Sequence, residues 1–201
     1  LCQAITNDMS LFPTTLFTGD VMADHVSWAP TLQEIRERGW EVFIGVDLAI
    51  SASAGADFTV ITVIAEDIDQ NKYLIDSRRV KGRSFQEQKQ MIIDMNTLYE
   101  PSLVIIEDNQ MQRIFGDELI RTTDIPVKKF TTRSDNKNSW QHGVPGMRIL
   151  LENAKLRLAR GSAEAIRATD IYIEELTSFG WINGRLQGAS EHDDCVMSLW
   201  L

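Results

Sequence analysis

The chain has 201 residues, 43% hydrophobic and 24% charged, which is typical of a globular protein that buries a full core. No apolar stretch is long enough to span a bilayer, so we expect no membrane partner, and Cys2 and Cys195 form no recognisable motif. The net charge of -9 does not exclude a nucleic-acid partner, because the lysines and arginines form three clusters, at 78–83, 128–137 and 148–160.

The first forty residues show little periodicity and contain two prolines and two glycines, at Pro13, Gly19, Pro30 and Gly39. We interpret them as a connector with one short helix near residues 31–38. Because the chain begins with Leu1 rather than Met, we expect it to be a fragment of a longer protein or a processed protein.

A regular pattern begins at residue 41. The continuous apolar run 42–49 predicts a strand that is buried on both faces. The runs 58–65 and 73–80 follow closely, so three antiparallel strands are expected. A capping box from Ser84 to Glu87 starts a helix that ends before Pro101. A strand at 103–107, a helix with apolar residues between 111 and 120, and a short strand at 127–130 come next.

The remainder is mostly helical by pattern. Residues 131–138 are polar and predict a loop, whereas the apolar spacing between Met147 and Leu158 predicts a helix that ends near Gly161. A second helix is expected over 164–179, a hairpin with an Asn-Gly turn over 181–186, and a final helix from about Asp193. The prediction is therefore an α/β fold with a ribonuclease H-like, mixed five-stranded sheet (three antiparallel strands, then parallel ones), flanked by helices and an auxiliary β-hairpin.

Acidic residues stand at unusual places in this pattern. Asp47 and Glu107 each end an apolar strand, and Asp193 and Asp194 open the apolar last helix. Carboxylates are rarely buried without a cation, since two of them about 4 Å apart repel by roughly 4 kcal/mol at an effective dielectric near 20. A site made only of carboxylates favours Mg²⁺ or Mn²⁺, and two such ions about 3.5–4 Å apart can hydrolyse a phosphodiester.

The acidic residues other than Asp47 also have a structural interpretation. Glu107 could pair with a basic neighbour, Asp193 could cap the last helix, and Asp194 could complement its dipole. Periodicity does not decide which of Asp193 and Asp194 faces the site. His192 could orient a phosphate or face solvent, and Asp57 could approach the metals or belong to a turn.

These motifs, in this order, resemble the nuclease domain of the large terminase subunit of tailed bacteriophages over about residues 40–201. The resemblance rests on GVDLA with GADFTVI, on VIIEDN, on KKFTTRSDNK and on HDDCVMSLW. The chain contains no ATP-binding GxxxxGK[ST] motif. The resemblance therefore implies that residues 1–40 are the connector from a missing N-terminal ATPase domain and that 41–201 are the ribonuclease H-like nuclease domain.

The resemblance also implies a function. The domain would be a Mg²⁺- or Mn²⁺-dependent endonuclease, using two ions to cut concatemeric double-stranded viral DNA during genome packaging. Its partners would be DNA, the ATPase domain, the small terminase subunit and the portal, in the bacterial cytoplasm and transiently at the procapsid portal. The implied residues are the metal ligands Asp47, Glu107, Asp193 and Asp194, the auxiliary residues Asp57, His192 and Asn109, and the DNA contacts Lys128, Lys129, Arg133 and Lys137.

Three alternatives remain open from the sequence. A junction resolvase, transposase or ribonuclease H would use the same carboxylates on another nucleic acid. A sugar-kinase or actin-like fold would place Asp47 near ATP phosphates, although the chain is short for two such domains. A non-catalytic DNA clamp or portal-docking module is the third.

Overall fold

A computed structural model describes residues 10–49, 57–108, 112–189 and 192–201. The strands in these ranges are β1 (Met22–Ala23), β2 (Glu41–Asp47), β3 (Thr59–Glu66), β4 (Lys72–Val80), β5 (Leu103–Glu107), β6 (Val127–Phe130), β7 (Leu156–Ala159), β8 (Phe179–Ile182) and β9 (Arg185–Gly188). The α-helices are α1 (Leu32–Glu37), α2 (Phe85–Tyr99), α3 (Gln112–Thr122), α4 (Ser134–Lys137), α5 (Val144–Glu152), α6 (Ala163–Thr177) and α7 (Asp194–Trp200). None of the described helices is long and apolar enough to cross a membrane.

The main sheet has seven strands in the order β1-β7-β4-β3-β2-β5-β6. Strands β2, β3 and β4 are antiparallel neighbours, while β5 lies parallel to β2 and β6 parallel to β5. The predicted mixed α/β sheet with three antiparallel strands followed by parallel ones is therefore confirmed. The predicted count of five strands was too low, because β7 and β1 extend the sheet beyond β4.

Strand β7 occupies the second half of a predicted helix. Helix α5 ends at Glu152, and Ala154 takes a positive φ of 50° that turns the chain back. Leu156 and Leu158 then pair with β4 and are buried. Leu158 lies eight residues after Leu150, so it fits a helical repeat as well as strand alternation, and the pairing with β4 decided between them.

Residues 10–40 pack onto the sheet. Leu11, Phe12 and Val21 are buried in the core, and the Leu11 N–H donates to the Phe179 carbonyl. The predicted short helix in this segment is confirmed as α1, which Thr31 and Glu34 begin with a reciprocal capping box. A capping box at Ser84 and Glu87 likewise begins α2.

The end of the chain follows the sequence prediction closely. Strands β8 and β9 form the expected hairpin, and its turn residues Asn183 and Gly184 both have positive φ, as a two-residue turn of this kind requires. Helix α6 precedes the hairpin, and α7 begins at Asp194. The segment 131–138, predicted as a loop, contains the short helix α4.

Helices cover both faces of the sheet. On one face, Tyr99 of α2 bonds Asp76 of β4, and Asp117 of α3 pairs with Lys129 of β6. On the other, α7 lies directly on β2: a Cβ at Gly45 would be 2.0 Å from the Ser198 carbonyl oxygen. The second face, with α6 and α7, is the one on which the acidic residues meet.

Candidate active site

Strand register brings Asp47 and Glu107 together. Gly45 pairs with Ile105 and Val46 with Ile106 in the parallel β2–β5 ladder, so Asp47 and Glu107 follow at the same level. Because side chains alternate along a strand, Asp47 shares the face of Gly45, under α7. Burial raises the pKa of Asp47 well above its usual range, and the charges of Glu107, Asp194, Asp193 and Asp57 raise it further, in that order.

Helix α7 brings the last acidic pair to the same place. Asp194 is buried, and its Oδ2 accepts a hydrogen bond from the Phe58 backbone N–H at 3.1 Å. Burial raises the pKa of Asp194 to about 6; the Phe58 N–H opposes this, and Asp57, Glu175 and Asp193 add to it. Asp194 is therefore fixed between the start of β3 and the first turn of α7.

Asp193 occupies the position before the first residue of α7, but its side chain makes no capping hydrogen bond there. Its Oδ2 instead accepts from the Gly188 N–H of β9 at 3.4 Å. The carboxylate thus connects the hairpin to the acidic site. The negative charges of Asp193 and Asp194 both raise the pKa of Asp47, and Asp194 has the larger effect.

The donor set fits a hard divalent cation. It consists of carboxylate oxygens, which hard divalent cations prefer as ligands. The pKa of Asp47 is raised by burial and by the negative charges of the other acids. The next acid, Asp108, has a buried Oδ1 without a hydrogen-bond partner among the described residues. Among the described residues, no three acidic, histidine or cysteine side chains are already placed so that they could hold a metal ion together.

A buried ion pair that the sequence did not reveal supports α7. Glu175 of α6 accepts a hydrogen bond from the Cys195 N–H at 2.8 Å, so its carboxylate caps the helix that carries Asp194. Arg79 of β4 pairs with the other Glu175 oxygen at 3.0 Å. In the sequence, Glu175 is one of several acids in an amphipathic helix, and Arg79 is one of four cations in a cluster. Neither position carries a local signal of this contact.

The auxiliary residues lie beside the carboxylates. His192 Nδ1 is 3.7 Å from Asp194 Oδ2 and 3.9 Å from Asp57 Oδ1, and its ring meets the edge of Phe58. Lys81 lies on the other side of the ring, with its Nζ 3.2 Å from His192 Nε2. His192 and Asp57 are thus close to the acidic site, whereas Asn109 lies outside the described residues.

The four basic residues implied for DNA contact have different surroundings. Lys128 is exposed and pairs in register with Ile105, which places it on the face of the carboxylates. Lys129 points to the opposite face and forms an ion pair with Asp117. Arg133 is exposed at the start of α4, and Lys137 Nζ lies 5.4 Å from the centre of the Phe179 ring.

A large apolar cavity lies on the same face of the sheet but away from the acids. It has a volume of about 600 Å³, and its lining includes Phe43, Ile105, Trp140 and Trp200. Asp47, Glu107, Asp193 and Asp194 are not among its lining residues. The cavity and the acidic cluster are therefore lined by different residues.

Comparison with known proteins shows which structures share this fold. Three solved structures of large terminase nucleases do so: two from the thermophilic phage G20c, with bound cobalt (16% identity, TM-score 0.69) and with bound magnesium (18%, 0.65), and one from Thermus phage P74-26 (17%, 0.63). The first two matches cover 96% of this chain and 95% of theirs, and the third covers 95% and 92%. No curated protein matches the chain.

The family model of the terminase RNaseH-like domain matches residues 44–200, which include all four acidic positions. The chain therefore belongs to the terminase RNaseH-like domain family.

Proposed function

We propose that the chain is a metal-dependent endonuclease that cuts concatemeric double-stranded viral DNA during genome packaging. The observation that carries the proposal is the meeting of Asp47, Glu107 and the acids of α7 on one face of the sheet. Membership of the terminase family supports it, as do the cobalt and magnesium bound by the similar G20c nucleases.

In this proposal Asp47, Glu107 and one of Asp193 and Asp194 would hold two divalent ions, Mg²⁺ or Mn²⁺. Asp47, whose pKa is raised by the charges of all the other acids, would be the ligand common to both ions. When bound, the ions supply an activated water and stabilise the leaving oxygen of the phosphodiester. The protein contributes rigid placement: strands β2 and β5 fix two carboxylates, and the Phe58 N–H fixes Asp194.

The basic residues bind the DNA backbone. Lys128, Arg133 and Lys137 contact phosphates, which gives affinity without sequence choice, whereas Lys129 lies on the opposite face and is paired with Asp117. In the whole packaging machine we expect the domain to work with an ATPase domain, a small terminase subunit and the portal, in the cytoplasm of the bacterial host and transiently at the procapsid portal.

Cleavage of supercoiled plasmid tests the proposal. With Mg²⁺ or Mn²⁺ and a high protein concentration, the chain should nick and linearise the plasmid, and a chelator should abolish the cleavage. Asp47→Asn should remove activity because it removes the shared ligand. Asp94→Asn is the matched control, since Asp94 is exposed on α2, which packs on the opposite face of the sheet. If Asp47→Asn and Asp94→Asn cut equally well, the proposal is wrong.

Separate Asp193→Ala and Asp194→Ala variants assign the third ligand. The true ligand should lose both cleavage and Mn²⁺ affinity. The other position should lose mainly stability, because each side chain also accepts a backbone hydrogen bond. The same assay on a linear duplex, a four-way junction and an RNA–DNA hybrid identifies the substrate, and a preference for either of the last two would contradict a packaging nuclease.

A further inference from the structure

We propose that Lys81 is a phosphate-binding residue of the cleavage site, which holds a backbone phosphate of the bound DNA beside the acidic cluster. The inference deepens the proposed endonuclease function and rests on it. Lys81 belongs to the first basic cluster of the sequence, at residues 78–83, which is not among the DNA contacts that the family resemblance implies.

The position of Lys81 follows from strand pairing. Thr59 pairs with Val80 in the antiparallel β3–β4 ladder, so the residues just outside it, Phe58 and Lys81, are neighbours. The Lys81 ammonium lies 4.3 Å from the centre of the Phe58 ring. Since the Phe58 N–H binds the Asp194 carboxylate, the same residue positions both a proposed metal ligand and the cation.

The charge of Lys81 is available to a ligand, unlike those of its neighbours. Arg78 pairs with Asp76, Arg79 with Glu175 and Arg83 with Glu87. Lys81 is exposed and forms no ion pair with a carboxylate in the part of the chain that the structure describes. Three of the four cations in the cluster are therefore neutralised within the protein, and the fourth contacts His192, whose Nδ1 lies 3.7 Å from Asp194 Oδ2.

His192 connects Lys81 to the site. An ammonium group can only donate, so the contact of 3.2 Å makes His192 Nε2 the acceptor. The other ring nitrogen, Nδ1, faces Asp194 and Asp57. The ammonium group has three N–H donors, so it can keep this contact and still donate to a phosphate oxygen.

A cation at this place reduces the repulsion between the acidic cluster and the phosphates of the DNA. DNA must bring its phosphates to a cluster of four or five carboxylates, and these repel it. Lys128 lies on β6, at one edge of the sheet, whereas Lys81 approaches from the β3–β4 side of the acids. A phosphate chain that crosses the site would thus meet a positive charge on each side of the carboxylates.

Three variants of the 201-residue chain test the role of Lys81. Lys81→Met keeps the length of the side chain without its charge, Lys81→Arg keeps the charge, and Arg83→Met removes a neighbouring cation that is already paired with Glu87. Lys81→Met should lower kcat/KM for plasmid cleavage about tenfold or more, mainly through KM, because a charge-assisted phosphate contact is lost. Lys81→Arg should retain most activity, and Arg83→Met should match the unsubstituted chain.

Two further measurements separate phosphate binding from a structural role. Mn²⁺ affinity without DNA should be no weaker in Lys81→Met. Binding to a short fluorescent duplex in EDTA should lose about one unit from the slope of log K against log salt concentration. Unchanged cleavage and slope in Lys81→Met, an equal loss in Arg83→Met, or a loss that tracks weaker Mn²⁺ binding would each overturn the assignment. If the unsubstituted chain cuts no DNA with any metal, the endonuclease proposal fails, and the salt slope still decides the role of Lys81.

Discussion

Arg79 and Glu175 show how single residues hold the acidic site in place. The Glu175 side chain is only 6% exposed, and it binds both the Arg79 guanidinium and the first turn of α7. Arg79→Met should therefore lower the free energy of unfolding by about 3–5 kcal/mol, since it leaves a buried carboxylate without its counter-charge. Urea denaturation measures this loss.

The double variant Arg79→Met/Glu175→Gln is the control for this prediction. A glutamine oxygen still accepts from the Cys195 N–H but carries no charge, so the double variant should recover much of the stability that Arg79→Met loses. A double-mutant cycle gives the coupling between the two residues. Strictly additive losses would show that the pair acts as two independent side chains.

The residues of the site differed in how well their sequence context revealed them. Asp47 and Glu107 were identifiable because each follows an apolar strand, a place where an unpaired carboxylate is costly. The partners of α7 were not, because Arg79 and Glu175 are 96 positions apart and the contact depends on the packing of α6 against β4. In the sequence, Lys81 is one member of a charge cluster. Only the tertiary contacts show that the other three cations are paired with carboxylates and that Lys81, among the described residues, is not.

At the scale of elements, the contact of α7 with β2 determines where the last acidic pair lies. Gly45 permits this contact, because a Cβ there would be 2.0 Å from the Ser198 carbonyl oxygen, which is backbone and cannot rotate away. Gly45→Ala should cost about 1–3 kcal/mol in stability by forcing α7 outward, and it should also weaken Mn²⁺ binding by displacing Asp194. Thermal unfolding and Mn²⁺ titration measure the two effects.

Gly116→Ala is the comparison for Gly45→Ala. A Cβ at Gly116 would be 2.8 Å from the Lys129 Cδ, which is part of a flexible side chain, and alanine is favoured in a helix. Its stability should stay close to that of the unsubstituted chain. If Gly45→Ala is equally well tolerated and binds Mn²⁺ normally, α7 does not depend on close approach to β2.

Element prediction succeeded where local signals were strong. The two capping boxes and the Asn-Gly turn mark helix starts and a hairpin through hydrogen bonds and backbone angles that involve a few adjacent residues. It failed for β7 and for β1, both of which are short and join the sheet beyond β4. The two residues of β1 are too few to show a period, and the leucine spacing of β7 also fits a helix, so their pairing partners define both strands.

At the scale of the molecule, the net charge of -9 hides an uneven distribution. Several of the acids meet on one face of the sheet, where burial and mutual repulsion raise the pKa of Asp47. Composition alone does not distinguish these acids from acidic residues that are simply exposed to solvent on the surface. The sheet topology does so, because it joins strand ends and a helix that are distant in the sequence.

The repulsion within this cluster predicts a stability that depends on divalent metal. Mn²⁺ at about 100 times its dissociation constant should stabilise the chain by roughly 2.7 kcal/mol, which corresponds to a rise in Tm of about 5–10 °C for a domain of this size. A chelator should reverse the rise. Asp47→Asn should abolish it while leaving the metal-free protein at least as stable as the unsubstituted chain, because one buried negative charge is gone.

Asp94→Asn, on the opposite side of the sheet, should keep the full rise in Tm with Mn²⁺. Differential scanning calorimetry of the three proteins, with Mn²⁺ and with EDTA, makes the comparison. An equal rise in all three would mean that the ion binds the acidic surface in general, and no rise in any would mean that the carboxylates do not bind metal. A rise that only Asp47→Asn lacks would link the buried negative charge directly to metal binding, since the residue that destabilises the metal-free fold would be the one that the ion requires.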